Sequence, residues 1–247
     1  MKLTSFLALA LLVVVSQSGC ATAGKTQAAA LEPPSVFADG ARVLFQGDSI
    51  TDGNRGKNSD PNHILGHGYV FIVAAKYGAG LPERHLVFMN RGISGNRVST
   101  LAKRWQTDTI DLKPDVLSIL IGVNDLGSNV SAEDYEQQYD QLLAETVRAL
   151  PAVRLVLCEP FGLPVGKKEP IWPAYSADLG VRRAVVAKLA AKYHAAFVPF
   201  QKVFDDATKR APADYWIWDG VHPTYSGHQL MADEWVRVVR AFWPNRK

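Results

Sequence analysis

The sequence predicts an α/β fold, a single three-layer domain in which helices cover both faces of a five-stranded parallel sheet. Three observations lead there. Five short apolar runs, at residues 43–46, 86–90, 116–121, 155–158 and 196–200, have the length of strands buried on both sides. Longer segments with helical spacing alternate with them, the pattern of βα units whose strands run parallel. Finally, 247 residues that are 47% hydrophobic and 21% charged form an ordinary globular mixture. A chain of this length buries roughly 70–75% of its unfolded surface, so it needs neither a metal nor a disulfide to fold.

The elements follow in order. Residues 1–23 read as an export signal: Lys2 is followed by ten apolar residues, 6–15, too few for a membrane span of about 20. Two cleavage sites compete. Ser18-Gly19-Cys20 resembles a lipobox that would leave Cys20 lipidated, with Gln17 where leucine is usual. Ala21-Thr22-Ala23 is an A-x-A site that would release a soluble form. The expectation is an exported bacterial protein, either secreted or held in the periplasm or envelope by a lipid on Cys20. Residues 24–36, ending in a Pro-Pro pair, read as a tether, and residues 37–247 as the folded domain. Helices are expected at 69–77, 100–112, 132–150, 175–194 and 226–242, the third opened by Ser131 with Asp134 three residues on.

A net charge of +3 is too small to suggest a nucleic-acid partner. Once Cys20 is acylated or removed, Cys158 stands alone in an apolar run, where it reads as a small buried hydrophobe.

In parallel sheets chemistry collects at the carboxyl ends of the strands, so the loops after them hold the candidates. After the first strand comes Gly47-Asp48-Ser49-Ile50-Thr51; Ser49 is either a helix cap or a nucleophile. After the second comes Gly92-Ile93-Ser94-Gly95-Asn96-Arg97, where a glycine serves a turn or lets a backbone N–H approach a reacting oxygen. After the third, Gly122-Val123-Asn124-Asp125 offers either an Asn-Asp turn or an amide donor. Near the C-terminus, Asp219 stands three residues before His222. In one turn that spacing lets the carboxylate bond the near ring nitrogen and leaves the far one free for base catalysis.

Together, in this order, the four segments resemble the blocks of the GDSL or SGNH hydrolase family: G-D-S, a glycine, G-x-N-D and D-x-x-H. The stretches GDSITDGNR, SGNRVSTLAKRW, ILIGVNDL and DGVHPTYSGH look most like acetylxylan esterases and related carbohydrate deacetylases. The resemblance implies a flavodoxin-like fold and a serine esterase acting through an acyl-enzyme without a cofactor or metal. It implies Ser49 as nucleophile, His222 as base and Asp219 as its orienting carboxylate. Ser49, Gly95 and Asn124 would form the oxyanion hole, and Asp48 would shape the nucleophile turn. Arg97 and Trp105 resemble positions near the substrate in the deacetylases. The implied substrate is acetylated carbohydrate; the alternative is a lipase, lysophospholipase or arylesterase on the same fold. A homo-oligomer is compatible with either.

The remaining candidates read as follows. Tyr215, Trp216 and Trp218 crowd the approach to Asp219, as core or as a stacking surface for a sugar, and Trp216 and Trp218 are taken as substrate contacts. Trp172 and Tyr175 lie at the end of a Pro-rich segment long enough to flank a pocket. His63 and His67 have the i, i+4 spacing of a metal pair, but Pro61, Gly66 and Gly68 argue against a helix there. His228, at the start of the last helix, reads as a packing or capping residue.

Overall fold

The computed structural model describes residues 32–245, apart from 127 and 129. The export signal, Cys20 and most of the tether lie outside the described residues. The end of the expected tether belongs to the fold: Pro34 is buried, and Ser35 N donates to Trp243 O at 2.9 Å.

Five parallel strands form one sheet, β1 (Arg42–Gly47), β2 (Val87–Asn90), β3 (Val116–Leu120), β4 (Arg154–Cys158) and β5 (Ala196–Val198), in the order β2-β1-β3-β4-β5. Among the described residues eight α-helices accompany them: α1 (Ser49–Asp52), α2 (Tyr69–Gly80), α3 (Val98–Ala102), α4 (Ala132–Ala149), α5 (Trp172–Lys192), α6 (Phe200–Ala207), α7 (Ala213–Trp216) and α8 (Tyr225–Phe242).

The strands' period of two sorts their side chains into two cores. Val43, Phe45, Val116, Leu120, Val156 and Cys158 face α2, α6 and α8. Leu44, Leu117, Ile119, Leu155 and Leu157 face α3, α4 and α5. Both faces are dry, which is why the strands read as continuous apolar runs. The one hydroxyl in the centre, Ser118 on β3, is satisfied by Trp235 Nε1 of α8 at 3.0 Å. Its neighbour Cys158, fully buried with Sγ 3.6 Å from Ser118 Oγ, is the packing residue expected, and burial pushes its thiol up to about 12.

Ser131 caps α4 by accepting from Asp134 N at 3.0 Å, as its spacing predicts. Two expectations need correction. The helix expected over 100–112 is split into α3 and a wider turn at Gln106–Ile110, closed by Asp111 N to Gln106 O at 2.9 Å. There the buried Gln46 amide donates to Asp108 O and Thr109 Oγ1, at 2.7 and 2.8 Å. The fifth strand ends at Val198, because Pro199 has no N–H for a ladder and Phe200 already opens α6. Phe200, Phe204 and Ala207 form the buried stripe of that helix at i, i+4 and i+7.

The order 2-1-3-4-5 has a switch point between β1 and β3, whose following connections leave toward opposite faces. In sheets of this order the ligand crevice lies there, at the carboxyl edge.

A buried thiol with its proton held this firmly should be inert. In the native protein Cys158 should not react with a disulfide exchange reagent at pH 8, whereas in denaturant it should react fully, read by peptide mapping. Rapid native labelling of the Cys158 peptide would contradict this placement.

Candidate active site

The site begins with a one-turn helix. β1 ends at Gly47, and Asp48 is extended (φ −99°, ψ −150°) with Oδ1 accepting Ile50 N at 3.0 Å. Thus Asp48, rather than Ser49, caps α1, and Ser49 takes the first helical position, where its N–H has no acceptor within the helix.

The loop after β2 is fastened to this turn. Buried Asn90 donates through Nδ2 to Thr51 O and Leu65 O, at 2.7 and 2.9 Å, and accepts Gly92 N through Oδ1 at 2.9 Å. Gly92 packs so closely that an added Cβ would lie 2.3 Å from Asp52 N, so any larger residue would part the two loops. Gly95 has a different need. A Cβ there would meet nothing within 4 Å, but its φ of +80° is the left-handed region that favours glycine. That conformation sets the direction of the peptide at the rim.

The loop after β3 joins through Asn124, whose Nδ2 donates to Asn96 O at 3.0 Å. The amide's second N–H remains for the crevice. Behind it, Asp125 Oδ1 accepts Val98 N at the start of α3 (3.3 Å). Arg182 of α5, 1% exposed, pairs with Asp178 and donates through Nη2 to Val130 O at 2.6 Å. A buried guanidinium therefore anchors the far end of this loop.

The fourth segment completes a line. Asp219 Oδ1 accepts the backbone N–H groups of His222 (2.8 Å) and Val221 (3.0 Å), and Oδ2 meets His222 Nδ1 at 2.8 Å. His222 Nε2 is 2.8 Å from Ser49 Oγ. Burial works against the Asp219 anion, but these donors hold its carboxyl below the ordinary value. An ionised Asp219 fixes the proton on Nδ1, leaving Nε2 as acceptor for the serine proton.

Two other carboxyls nearby behave oppositely. Burial pushes Asp48 up to about 7 and Asp125 up to about 6; in each, Oδ2 is buried without a hydrogen-bond partner. His228, expected in a packing or capping role, accepts Tyr69 N at the start of α2 through Nδ1 (3.2 Å) and stacks on the Tyr69 ring. Burial depresses its imidazole to about 4, with the charge of His222 acting in the same direction.

The structure links Ser49, His222 and Asp219 by hydrogen bonds and ties the loop of Asn124 to that of Gly95, but it separates the expected substrate contacts. Trp105 is 1% exposed, between α3 and α4, with Nε1 donating to Thr146 Oγ1 at 2.9 Å. It is a core residue and cannot touch a substrate. Trp216, 6% exposed, is likewise core, its indole N–H on Ala211 O at 3.3 Å. Trp218 is the tryptophan at the crevice, 63% exposed and stacked beside His222 with ring centroids 6.4 Å apart. Arg97 is half-buried; its backbone opens α3, and its charge acts on Asp125. His63 and His67 lie in a turn with rings stacked at 6.0 Å, and among the described residues no cluster of three His, Cys, Asp or Glu is placed to hold a metal. Asn90 and Arg182 were not legible as site residues in the sequence; an asparagine ending an apolar run, before Arg91-Gly92, was the only hint.

The sequence matches the model of the GDSL-like lipase/acylhydrolase family over residues 45–230. It is 32% identical over 217 residues to an acetylxylan esterase of Geobacillus stearothermophilus, covering 83% of this chain and 96% of that protein. A structure described as a GDSL-like lipase from Parabacteroides merdae is 41% identical, with a TM-score of 0.78 over 84% of this chain and 99% of its own. The solved acetylxylan esterase superposes with a TM-score of 0.72 at 32% identity, over 85% of this chain and 99% of that one. An α/β hydrolase from the metagenome of Lake Arreo, Spain, 32% identical, gives 0.75 over 84% and 98%.

The buried Asp48 carboxyl has a consequence for stability. Its folded value of about 7 exceeds its ordinary 3.8. Below pH 4 the acid is neutral in both states. As pH rises toward 7 the unfolded chain releases this proton and the folded one holds it, so this group's contribution to stability falls. Asp48→Asn keeps the acceptor for Ile50 N and cannot ionise. Its stability relative to the parent should therefore grow between about pH 4 and pH 7, by a few kcal/mol at most, since each pKa unit is worth about 1.4 kcal/mol. Parallel denaturation profiles for the two proteins across that range would show that Asp48 is ionised in the fold.

Proposed function

The chain belongs to the GDSL-like lipase/acylhydrolase family and is a carboxylic-ester hydrolase, and from that premise we propose that it removes O-acetyl groups from xylan-type carbohydrate with Ser49, His222 and Asp219 as its triad. The observation that carries this reading is the line of two 2.8 Å hydrogen bonds from Ser49 Oγ through His222 to Asp219. Solved variants of the G. stearothermophilus enzyme offer independent support. Its catalytic mutants replace a serine, an aspartate and a histidine, the last two standing three residues apart, as Asp219 and His222 do.

In this mechanism His222 Nε2 takes the Ser49 proton as Oγ bonds the ester carbonyl carbon. The carbonyl oxygen gains negative charge and is met by the N–H groups of Ser49 and Gly95 and the second N–H of Asn124. Collapse breaks the bond to the alcohol, which leaves with the proton held by His222. Water, deprotonated by the same nitrogen, then attacks the acyl-enzyme, and Ser49 recovers its proton as the acid departs. Asp219 keeps its charge throughout and stabilises the imidazolium.

Support for a sugar alcohol comes from two features besides the relative. Trp218 offers an exposed aromatic face beside His222. The loop after α1 bears an open concavity of about 590 Å³ lined by Asn54, Lys57, Asn58, Asp60, His63 and His67, whose amide, ammonium, carboxylate and imidazole groups can hydrogen-bond to hydroxyls. The N-terminal apolar run supports export, with Cys20 as the membrane tether of a lipoprotein form.

Ser49→Ala should fold normally and lose nearly all hydrolysis of an aryl acetate; a variant retaining most activity would remove the triad. Asn124→Ala should lower kcat by about 10²-fold or more with little change in KM, because its amide meets charge that exists only in the transition state. A pure KM effect would make Asn124 a substrate-binding residue instead. Acetyl esters should be preferred over butyryl by about tenfold or more, and acetylated xylo-oligosaccharides should release acetate. Faster turnover of octanoyl esters with acetylated sugars untouched would favour the lipolytic alternative.

A further inference from the structure

The turn that carries Asp219 and His222 rests on the chain that follows β4. Leu163 N donates to Gly220 O at 3.1 Å, so a backbone bond grips the peptide immediately after the carboxylate. Contact there is close: an added Cβ on Gly162 would lie 3.0 Å from Gly220 O, and one on Gly166 would lie 2.9 Å from Asp219 Cα. Residues 159–163 belong to no helix or strand; Glu159 N still bonds Val198 O of β5 at 3.0 Å, but neither a ladder nor a helix holds the backbone groups of Gly162.

A side chain supplies the missing partner. Gln201, in the first turn of α6 and 4% exposed, accepts Gly162 N through Oε1 at 3.0 Å and donates through Nε2 to Gly162 O at 2.9 Å. Its other amide N–H donates to Asp205 Oδ1 at 2.9 Å, which fixes the orientation of the amide. The backbone of Gln201 is itself held, its N–H on Glu159 Oε2 at 3.0 Å, and Glu159 Oε1 accepts Arg183 Nε at 2.7 Å. A continuous set of bonds therefore runs from Arg183 on α5 through Glu159 and Gln201 to Gly162, and through Leu163 to the turn of Asp219 and His222.

We propose that Gln201 is a positioning residue for the catalytic turn, its amide fixing the Gly162–Leu163 backbone that in turn fixes Asp219 and His222 against Ser49. The inference rests on the triad reading above. Without the amide, both backbone groups of Gly162 lose their partner in a buried place, and the grip on Gly220 loosens with them. Displacement of a catalytic group by about 1 Å can cost 10²-fold in rate.

The test uses the full-length enzyme and an aryl acetate. Gln201→Leu, similar in size and without hydrogen bonds, should lower kcat by about tenfold to hundredfold while KM stays within about twofold. A structural role alone would not alter the far-downfield proton resonance of His222 Nδ1–H, assigned by its loss in Asp219→Asn; in Gln201→Leu it should broaden or vanish. Trp105→Phe serves as a control, removing a buried hydrogen bond from the opposite core, and should lower Tm while sparing both kcat and the resonance. Should Gln201→Leu fail to fold, Gln201→Glu decides the matter. It keeps the acceptor for Gly162 N and loses the donor to Gly162 O, and its kcat should fall at least about threefold with a weakened resonance. A folded Gln201 variant with kcat within twofold of the parent and an unchanged resonance overturns the proposal. Ser49→Ala, measured alongside, separates the two readings. Activity surviving in that variant removes the triad itself, whereas an inactive Ser49→Ala beside a fully active Gln201 variant removes only the positioning role.

Discussion

One contact governs the rest of this molecule: a 2.8 Å hydrogen bond between a serine after the first strand and an imidazole 173 residues later. Neither partner is placed by its own neighbours alone. Ser49 depends on a single helical turn that Asp48 caps and Asn90 ties to the next loop. His222 depends on Asp219, whose two oxygens take three N–H groups of one short turn, and on the loop that grips Gly220. The parallel sheet brings these pieces to one edge, and its switch point opens the space between them. Fixing the final ångström falls to polar side chains around the crevice.

Those polar groups divide by charge. Asp219 is rich in donors and carries its charge cheaply, which the imidazolium formed during catalysis requires. Asp48 and Asp125 are buried with one oxygen each unpartnered, and burial favours their neutral forms. A second anion close to His222 would compete with Asp219 as its electrostatic partner. Burial raises Asp48 to about 7, so it is mostly neutral only well below that pH, and over that acidic range Asp219 is the dominant anion. Two aspartates near one histidine thus act differently because Asp219 accepts three N–H groups, whereas Asp48 is fully buried with one oxygen unpartnered.

Much of this was legible in the sequence, and the reason differs by level. Five strands and four long helices show because a doubly covered sheet demands unbroken apolar runs, with helical periods between them. Glycines 92 and 95, Asn124, and the Asp219 and His222 pair show because chemistry or close approach restricts the residue type. Short α6 was hidden because Phe200 extends the apolar run of β5, and only the missing N–H of Pro199 marks the boundary. Trp105 and Trp216 were misread because a tryptophan beside a motif looks the same whether it faces the crevice or the core; one hydroxyl, Thr146 Oγ1, decided the first. Asn90 carries only the faint signature of an asparagine ending an apolar run before Arg91-Gly92, and Arg182 and Gln201 carry none. The distant backbone groups they hold lie 25 to 57 positions away, and only the fold makes them neighbours.

The two histidines around the start of α8 show how position sorts one residue type into two tasks. His222 is partly exposed, bonded at both nitrogens to groups that exchange or compensate a proton. His228, a few residues on, is buried against Tyr69 and uses Nδ1 to satisfy the first N–H of α2, a role that requires a lone pair and hence a neutral ring. Burial secures that neutrality down to about pH 4. The benefit reaches beyond α2. Were His228 to ionise in the range where the enzyme works, its charge would oppose the imidazolium that must form on His222 in each half of the reaction. Burial of the second histidine therefore leaves the first to change charge beside Asp219 without a competing cation.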